Sequence, residues 1–230
     1  VHPNADGAGY YRFSMSQSWM DSLIASASSL SAPEALVLSD SLDASFLAGE
    51  AQAGSFVHGM AALLDHPDWD VAESAMNRLE SITQILTAEE MTRIYPSLQK
   101  MVRPRYEALG DAADEASRLL RQRMQRFLIV IARDQELRKP LAEQAAARIG
   151  LNGPPDPSAV AVDELETVLS VGVQDLGEPF FDLLLEQGVA SEDPEFRNSA
   201  FGALARVEDP ALATKLHAAI LGGDFKGTEF

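Results

Sequence analysis

The four histidines are the residues of this sequence that could most readily hold a metal ion. Zinc hydrolases need two histidines one helical turn apart with a glutamate between them, because that spacing directs both imidazoles at one ion. No HExxH string occurs, and His58 and His66 stand eight residues apart across an expected helix end. We therefore interpret the histidines as structural or exposed side chains. They are His2, His58, His66 and His217.

The aspartates of LLDHPDWD (residues 63–70) are a second candidate, as ligands for a hard cation. Their spacing does not match a calcium loop, which needs a central glycine and a distal bidentate glutamate. A turn between two helices explains them better, with Asp68 close to the N-terminus of the second helix.

Patterns for other chemistries are also missing from the sequence. There is no GxSxG elbow, no GxGxxG loop, no Walker-type loop and no cysteine, which removes the usual nucleophile, phosphate and thiolate sites. Trp19, Tyr95 and Phe127 occur at helical spacing, which is typical of a core rather than a ligand cage. We therefore expect no complete catalytic site and no bound cofactor in this chain.

The charge balance bears on which partners the protein can have. The formal net charge is −17, from 35 acidic and 18 basic residues, and such a chain repels phosphate backbones at long range. Nucleic acid is therefore not an expected partner. The longest apolar runs, residues 127–132 and 180–185, are too short to cross a bilayer, so no membrane span is expected. The absence of cysteine suits either a cytoplasmic or a bacterial periplasmic location.

Most of the basic residues are concentrated in the middle of the chain. A locally basic surface within an acidic molecule could receive an anionic group, although a solvated helix face is the more ordinary explanation. These residues are Arg93, Lys100, Arg103, Arg105, Arg118, Arg121, Arg123, Arg126, Arg133, Arg138 and Lys139.

From residue 16 onward the apolar residues recur with helical spacing almost without interruption. The longest helix is expected over about residues 111–133, and three prolines and a glycine mark residues 151–158 as a loop. The expected helices cover roughly residues 19–30, 35–46, 56–64, 71–86, 91–101, 111–133, 136–149, 161–174, 177–188, 194–206 and 210–222.

Two helix starts in the last third of the chain share one pattern. Asp193-Pro194 and Asp209-Pro210 each place a capping carboxylate directly before a proline, which suits the first turn of a helix. Short helices joined by short turns must pack antiparallel to their neighbours. The sequence therefore predicts an all-α fold, a HEAT-like α-solenoid of antiparallel helix pairs.

The first fifteen residues differ from the rest of the chain. A turn cluster at residues 4–9 precedes the aromatic residues Tyr10, Tyr11 and Phe13, which predicts a turn leading into a short strand. A lone strand cannot satisfy its own edges, so its sheet should come from outside the chain. We therefore divide the chain into residues 1–15, the end of a preceding domain, and residues 16–230, a helical-repeat domain.

The segment GYYRF, residues 9–13, resembles the junction of aminopeptidase N-like zinc enzymes, the gluzincin aminopeptidases. In that family a GYYRVNYD-like strand closes a β-sandwich and leads into a helical C-terminal domain, which is named after the endoplasmic reticulum aminopeptidases. Residues 38–50 resemble the second helix of that domain, an LxDDAFxLAxxG pattern. Asp40 and Gly49 stand at matching places, whereas Asp43 replaces an aromatic residue. Further similar segments are residues 95–110, 119–124 and 193–230, the last with a lysine-bearing D-x-K-x-x-E turn.

The resemblance implies that this chain is the C-terminal domain of a zinc-dependent aminopeptidase that releases N-terminal residues from peptides. The zinc, its HExxH ligands and the amine-binding loop would lie in a catalytic domain outside the chain, so no catalytic or metal-binding residue can be assigned here. The resemblance also implies contacts with that catalytic domain and with the β-sandwich, and further helices after Phe230. In the family the helical domain forms a bowl that encloses the active-site chamber and limits which peptide substrates enter.

Two arginines of the central region are candidates for contacting a peptide in such a chamber. Arg103 or Arg121 could bind the C-terminal carboxylate of a peptide through a charge-assisted hydrogen bond. The alternative for Arg121 is an ion pair with a nearby acid, Glu115 or Asp114. The alternative for the whole chain is a free-standing HEAT-like scaffold that binds protein partners on a concave face.

Overall fold

A computed structural model describes residues 3–9, 11–111 and 114–222 of the chain. Eleven α-helices and no β-strand occur in this described part, so the predicted all-α fold is confirmed. His2, Tyr10 and the lysine-bearing turn at residues 224–229 lie outside it. The helices are α1 (Gln17–Ile24), α2 (Ala32–Leu47), α3 (Ala53–Leu64), α4 (Trp69–Thr83), α5 (Ala88–Leu109), α6 (Glu115–Arg126), α7 (Gln135–Ile149), α8 (Leu165–Asp175), α9 (Glu178–Ala190), α10 (Pro194–Leu204) and α11 (Pro210–Gly222).

The helices group into two compact units, Val1–Asp134 and Gln135–Phe230. In the first unit α2 packs on both α3 and α4, and in the second α8 packs on both α9 and α10. In a stack of antiparallel helix pairs, a helix contacts both the next helix in the chain and the one after it. Packing within each unit is therefore solenoid-like. A regular HEAT-type repeat stays a prediction.

The core of the first unit begins with α1, and there one prediction was wrong. Met20, Leu23 and Ile24 are buried, and Ile24 approaches α3 closely enough to contact Gly59. Trp19, expected in the core, is 58% exposed. The buried residues Met20, Leu23 and Ile24 define the inward face of this short helix, and Trp19, about 100° from Met20 around the helix axis, falls at the edge of that face.

In the second unit the core is built around aromatic residues of α9 and α10. Gly172 of α8 lies directly against the ring of Phe180 of α9, because a Cβ built on Gly172 would fall 2.3 Å from a ring carbon. The missing side chain is therefore what allows α8 and α9 to approach. The most deeply buried apolar residues are Ala145, Ile149, Val168, Leu169, Phe180, Phe181, Leu184, Ala200, Ala203 and Leu204.

The predicted helix starts at the two Asp-Pro pairs are confirmed. The Asp193 carboxylate accepts a hydrogen bond from the Glu195 amide at 3.0 Å, and the Asp209 carboxylate accepts one from the Ala211 amide at 2.7 Å. Asp68 caps α4 in the same way, because its carboxylate accepts a hydrogen bond from the Asp70 amide. This confirms the prediction that Asp68 lies at the start of a helix.

The helix predicted over about residues 111–133 is shorter than expected and is not the longest described helix. The helix α6 begins at Glu115, where Asp114 accepts a hydrogen bond from the Ser117 amide, and it passes into a π-helical turn over Phe127–Ile131. Arg133, with φ of 52°, then ends the segment in a left-handed conformation. The longest described helix is instead α5, with 22 residues. It continues through Pro96 and Pro104, where the sequence alone favours a helix end.

Residues 11–16 have no regular secondary structure, so the strand predicted within residues 1–15 is not formed in the described part. A strand needs a partner to complete its backbone hydrogen bonds, and residues 3–9, 11–111 and 114–222 contain no other strand. The segment instead runs along α2 with a constant offset of 28 residues. The Asp6 amide donates to the Glu34 carboxylate, the Arg12 guanidinium to Asp40, and the Phe13 amide to the Ser41 hydroxyl.

Candidate functional site

The two arginines predicted to contact a peptide lie on adjacent helices of the first unit. Arg103 is on α5, one turn before Tyr106, and Arg121 is on α6, which packs on α5. The Cζ atom of Arg121 lies 4.7 Å over the centre of the Tyr106 ring. Tyr106 itself is 9% exposed, so its ring is a fixed platform for the guanidinium. This arrangement is a cation–π contact between the two helices.

Arg103 is fully engaged with acidic groups. Its Nε atom lies 3.0 Å from Asp134 Oδ2, a second guanidinium nitrogen contacts the same oxygen, and Nη1 lies 3.4 Å from Glu107 Oε1. The Asp134 side chain is 2% exposed, so this carboxylate is a buried charge that needs its cation. Arg103 therefore connects α5 to Asp134, in the segment that follows the π-helical turn.

Arg121 has a different environment from Arg103. It forms no ion pair with a carboxylate of the described residues, and its buried Nε atom has no hydrogen-bond partner there. The ion pair considered for it, with Asp114 or Glu115, is not formed. The Asp114 carboxylate instead accepts the Ser117 amide at 2.9 Å, and this hydrogen bond is the main cause that lowers the pKa of Asp114.

Two other central arginines are structural. Arg105 donates from Nη2 to the backbone carbonyl of His66 at 2.9 Å. Arg123 donates to Asn77 and Glu80 of α4 at 2.8 and 2.7 Å. Both therefore connect helices of the first unit, and neither has a guanidinium as little engaged as that of Arg121.

The histidine with the clearest role is His66, which is 3% exposed. Its Nδ1 atom accepts the Asp68 amide at 3.0 Å, so its Nε2 atom, 3.0 Å from the Leu30 carbonyl, is the donor. A neutral ring in one tautomer satisfies both contacts. Within the described ranges no group of three or more His, Cys, Asp or Glu side chains is placed to hold a metal ion. His66 is thus a structural residue, as the sequence indicated.

The first two segments that carry the family resemblance are in direct contact. Arg12 of GYYRF forms an ion pair with Asp40 of the second-helix pattern, with Nε 2.6 Å from Oδ2. Arg78 of α4 contacts Asp40 at 3.2 Å and Asp43 at 2.7 Å. The hydrogen bond from Arg12 is the largest cause that lowers the pKa of Asp40. Asp43, which departs from the family pattern, is therefore compensated by Arg78.

One cleft in the described residues lies away from these central arginines. It has a volume of about 610 Å³, with Leu36, Val37 and Asp40 of α2 on one side and the N-terminal residues Gly7, Gly9, Tyr11 and Arg12 on the other. The Arg12 guanidinium and the Asp40 carboxylate within it are bonded to each other. We therefore regard this cleft as a consequence of how the N-terminal segment lies on α2.

Several important residues were not identified from the sequence. Tyr106 and Asp134 decide how the two candidate arginines are used, but their partners are 15 and 31 positions away. Arg138 is completely buried, and Arg197, which is 4% exposed, donates to the carbonyl groups at the end of α9. Arg197 lies one helical turn after Asp193, the residue that caps α10. This position close to the end of α9 is the signal in the sequence that could have indicated its contacts with the α9 carbonyl groups.

Comparison with known proteins gives one family. The family model described as "ERAP1-like C-terminal domain" matches residues 1–229. No curated protein matches the chain. None of the described helices is both long enough and apolar enough to cross a membrane.

Proposed function

Because the chain belongs to the ERAP1-like C-terminal domain family, we propose that it forms the bowl that covers the active-site chamber of a zinc-dependent aminopeptidase. In this role it is a non-catalytic domain, and it limits which peptides reach the chamber. The observation that carries the proposal is the family match over residues 1–229. The same match favours this role over that of a free-standing scaffold.

The packing of the helices supports the proposal. Stacked antiparallel helices present one row of side chains each to a common surface, and that surface can be wide enough to enclose a peptide. In the described part of the chain α2, α3, α7 and α8 each pack with the next helix and with the one after it, as such stacking requires.

The zinc would be held by a catalytic domain elsewhere in the parent polypeptide. The described side chains do not fit a zinc site, since no cluster of three suitable ligands occurs among them. The reaction itself is therefore assigned to groups outside this chain. What the chain would contribute is confinement and orientation of the part of the peptide far from the cleaved bond.

Of the two candidate arginines, Arg121 is the better placed to meet the C-terminal carboxylate of a peptide. Arg103 has its guanidinium on Asp134 and Glu107, so binding a peptide there would require breaking a buried ion pair. Arg121 lies over the ring of Tyr106 and forms no ion pair with a carboxylate of the described residues, so it keeps hydrogen-bond donors for a carboxylate. We therefore propose Arg121 as the peptide contact and Arg103 as a residue that holds α5 in position.

The test uses the full-length enzyme that carries this domain. Arg121→Ala should lower kcat/KM for long peptides by about tenfold, the loss of one charge-assisted hydrogen bond. It should leave the hydrolysis of a single-residue chromogenic substrate unchanged, because that substrate does not reach the domain. Arg93→Ala is the matched control, since Arg93 is an exposed arginine paired with Glu89. Equal losses for both substrates would contradict the proposed contact.

A further inference from the structure

The loop after α7 contains the one Asn-Gly pair of the sequence, Asn152-Gly153. The carboxamide of an asparagine can react with the backbone nitrogen of the residue that follows it. A glycine in that position hinders the reaction least, because it has no Cβ atom and its backbone adopts the widest range of conformations. In a folded protein the reaction also requires that neither the asparagine side chain nor the next amide is held by a strong contact.

Both reacting groups of this loop are free of strong contacts. Asn152 is exposed, and its side chain forms no hydrogen bond with the residues that the structure describes. The Gly153 amide donates to the Gly150 carbonyl at 3.4 Å, which is longer than an ordinary hydrogen bond between these groups. A Cβ atom built on Gly153 would have no atom within 4 Å apart from its chain neighbours. The two groups can therefore approach each other without breaking a strong hydrogen bond.

The other asparagines of the chain are in different environments. Asn4 is 2% exposed, and its carboxamide is hydrogen-bonded at both ends. Asn77 accepts a hydrogen bond from Arg123 at 2.8 Å. Asn198 is exposed, but it lies within α10, where the next amide belongs to the hydrogen-bond ladder of the helix. The fold therefore leaves the asparagine of the loop as the reactive one.

We propose that Asn152 is a site of spontaneous deamidation, with water as the co-reactant. The backbone nitrogen of Gly153 attacks Cγ of Asn152 and closes a succinimide ring. The Cγ–Nδ2 bond breaks, and the nitrogen that leaves takes up the amide proton and departs as ammonia. Water then opens the ring. Cleavage of the new N–Cγ bond gives aspartate, and cleavage of the bond to the main-chain carbonyl carbon gives isoaspartate, whose backbone runs through the side chain.

The loop that would change covers the C-terminal end of α7. The Leu151 amide donates to the Ala146 carbonyl at 2.9 Å. The Asp156 amide donates to the Ala147 carbonyl at 3.0 Å. Both bonds satisfy carbonyl groups that a helix leaves without partners at its end, and the reacting pair lies between them. Isoaspartate lengthens the backbone between the two attachments, and either product adds a negative charge at the negative end of the helix dipole. We therefore expect the reaction to loosen this helix end.

The experiment follows the reaction in the 230-residue protein by peptide mapping. The protein is incubated at mildly alkaline pH, where a backbone amide loses its proton more readily, and is digested at intervals. Mass spectrometry should show the peptide that contains Asn152 gaining the mass difference between a hydroxyl and an amino group, in two chromatographically separate products. A synthetic peptide of residues 148–156 gives the rate without the fold. We expect the protein to react within about tenfold of that rate, since only one weak hydrogen bond must break.

Two variants and one internal control test the succinimide route. Gly153→Ala should slow the reaction at least about tenfold, because a Cβ atom hinders ring closure, whereas the open space around this residue accommodates the methyl group. Asn152→Gln keeps a carboxamide but lengthens the side chain by a methylene group, so no mass change is expected at this position. Asn198, which is also exposed, should stay unmodified in the same digests.

Hydrogen exchange measures the consequence for α7. The amides of Leu151 and Asp156 should exchange faster in the modified protein than in Asn152→Asp, which carries the new charge on an unchanged backbone. An unmodified Asn152 after the synthetic peptide has reacted, or an unchanged rate in Gly153→Ala, would overturn the assigned site. Unchanged exchange in the modified protein would overturn the effect on the helix end. The proposed aminopeptidase role does not enter any of these measurements, so it is tested separately.

Discussion

Arg138 is the most informative residue for testing what stabilises the second unit. Its side chain is completely buried between α7 and α8, and it donates from Nε and Nη2 to the two carboxylate oxygens of Asp175, both at 2.8 Å. Nη2 also donates to Gln174 at 3.1 Å. Removal of the Asp175 carboxylate would take away the counter-charge that the Nε and Nη2 atoms of this buried guanidinium contact. We therefore choose Asp175→Ala as the perturbation.

The expected cost follows from the burial of the two partners. Breaking a buried ion pair by removing one partner costs about 3–5 kcal/mol, because the remaining charge is uncompensated. Asp175 is 21% exposed, so water can enter and the cost should lie near the lower end, about 3 kcal/mol. For a chain of this size, that loss corresponds to a fall in Tm of about 6–12 °C.

The comparison variant replaces both partners with apolar side chains. Arg138→Met combined with Asp175→Leu should recover most of the lost stability, because a well-packed apolar pair is often as stable as a buried ion pair. Glu89→Ala is the control, since the Glu89–Arg93 pair is more than two-thirds exposed on both sides. It should change the free energy of unfolding by less than about 0.5 kcal/mol.

The assay is urea unfolding followed by far-ultraviolet circular dichroism, with amide hydrogen exchange of α7 and α8 as a local measurement. We expect Asp175→Ala to lower the free energy of unfolding and to speed exchange in these two helices. A loss below about 1 kcal/mol would refute the reasoning that the guanidinium needs its carboxylate. A double variant no more stable than the single one would refute the assignment of the loss to the missing Asp175 carboxylate.

Two further predictions concern the packing of α8 and the attachment of the N-terminal segment. Gly172→Ala should lower the free energy of unfolding by about 1–3 kcal/mol in urea unfolding, because its Cβ would overlap an aromatic ring of α9. Gly54→Ala in α3, where no atom lies within 4 Å of the new Cβ, should not be destabilising, and equal losses in the two variants would contradict the packing argument. The pKa of Asp40 is held below its ordinary value of 3.8, first by the hydrogen bond from Arg12, so the stability it contributes is complete above that value and is lost as the pH falls through the folded pKa. A carboxyl titration by NMR should show this pKa rising in Arg12→Gln, and an unchanged titration would contradict the assigned cause.

The features that could be predicted from the sequence are those set by neighbouring residues. Asp193 and Asp209 cap helices because the residues that follow them supply the amides, and this geometry needs no tertiary contact. The helical period and the loop at residues 151–158 are local in the same sense. Membership of the all-α class follows from the sum of many such signals.

The features that could not be predicted depend on contacts between distant residues. The exposure of Trp19 was missed because the apolar spacing of a short helix allows more than one inward face. The π-helical turn after α6 was missed because it leaves the apolar pattern of Phe127–Ile131 intact. The length of α5 was missed because its two prolines are exposed, so the carbonyl groups that lose their partners face water.

The contrast between Arg103 and Arg121 shows why residue type and local charge do not reveal how the donors of an arginine are used. An arginine that contacts a carboxylate edge-on, as Arg103 contacts Asp134, uses the N–H donors that a ligand would need. An arginine that lies over an aromatic ring, as Arg121 lies over Tyr106, is attracted through the face of its guanidinium, and the donors point outward in the plane of the group. Stacking therefore fixes the side chain without using its hydrogen bonds. The fold therefore decides, through the partner that it places beside each arginine, whether the hydrogen-bond donors are used. Tyr106→Leu would remove the ring that holds Arg121 in place. We expect this variant to weaken the proposed carboxylate binding at Arg121, although the proposed contact does not involve Tyr106.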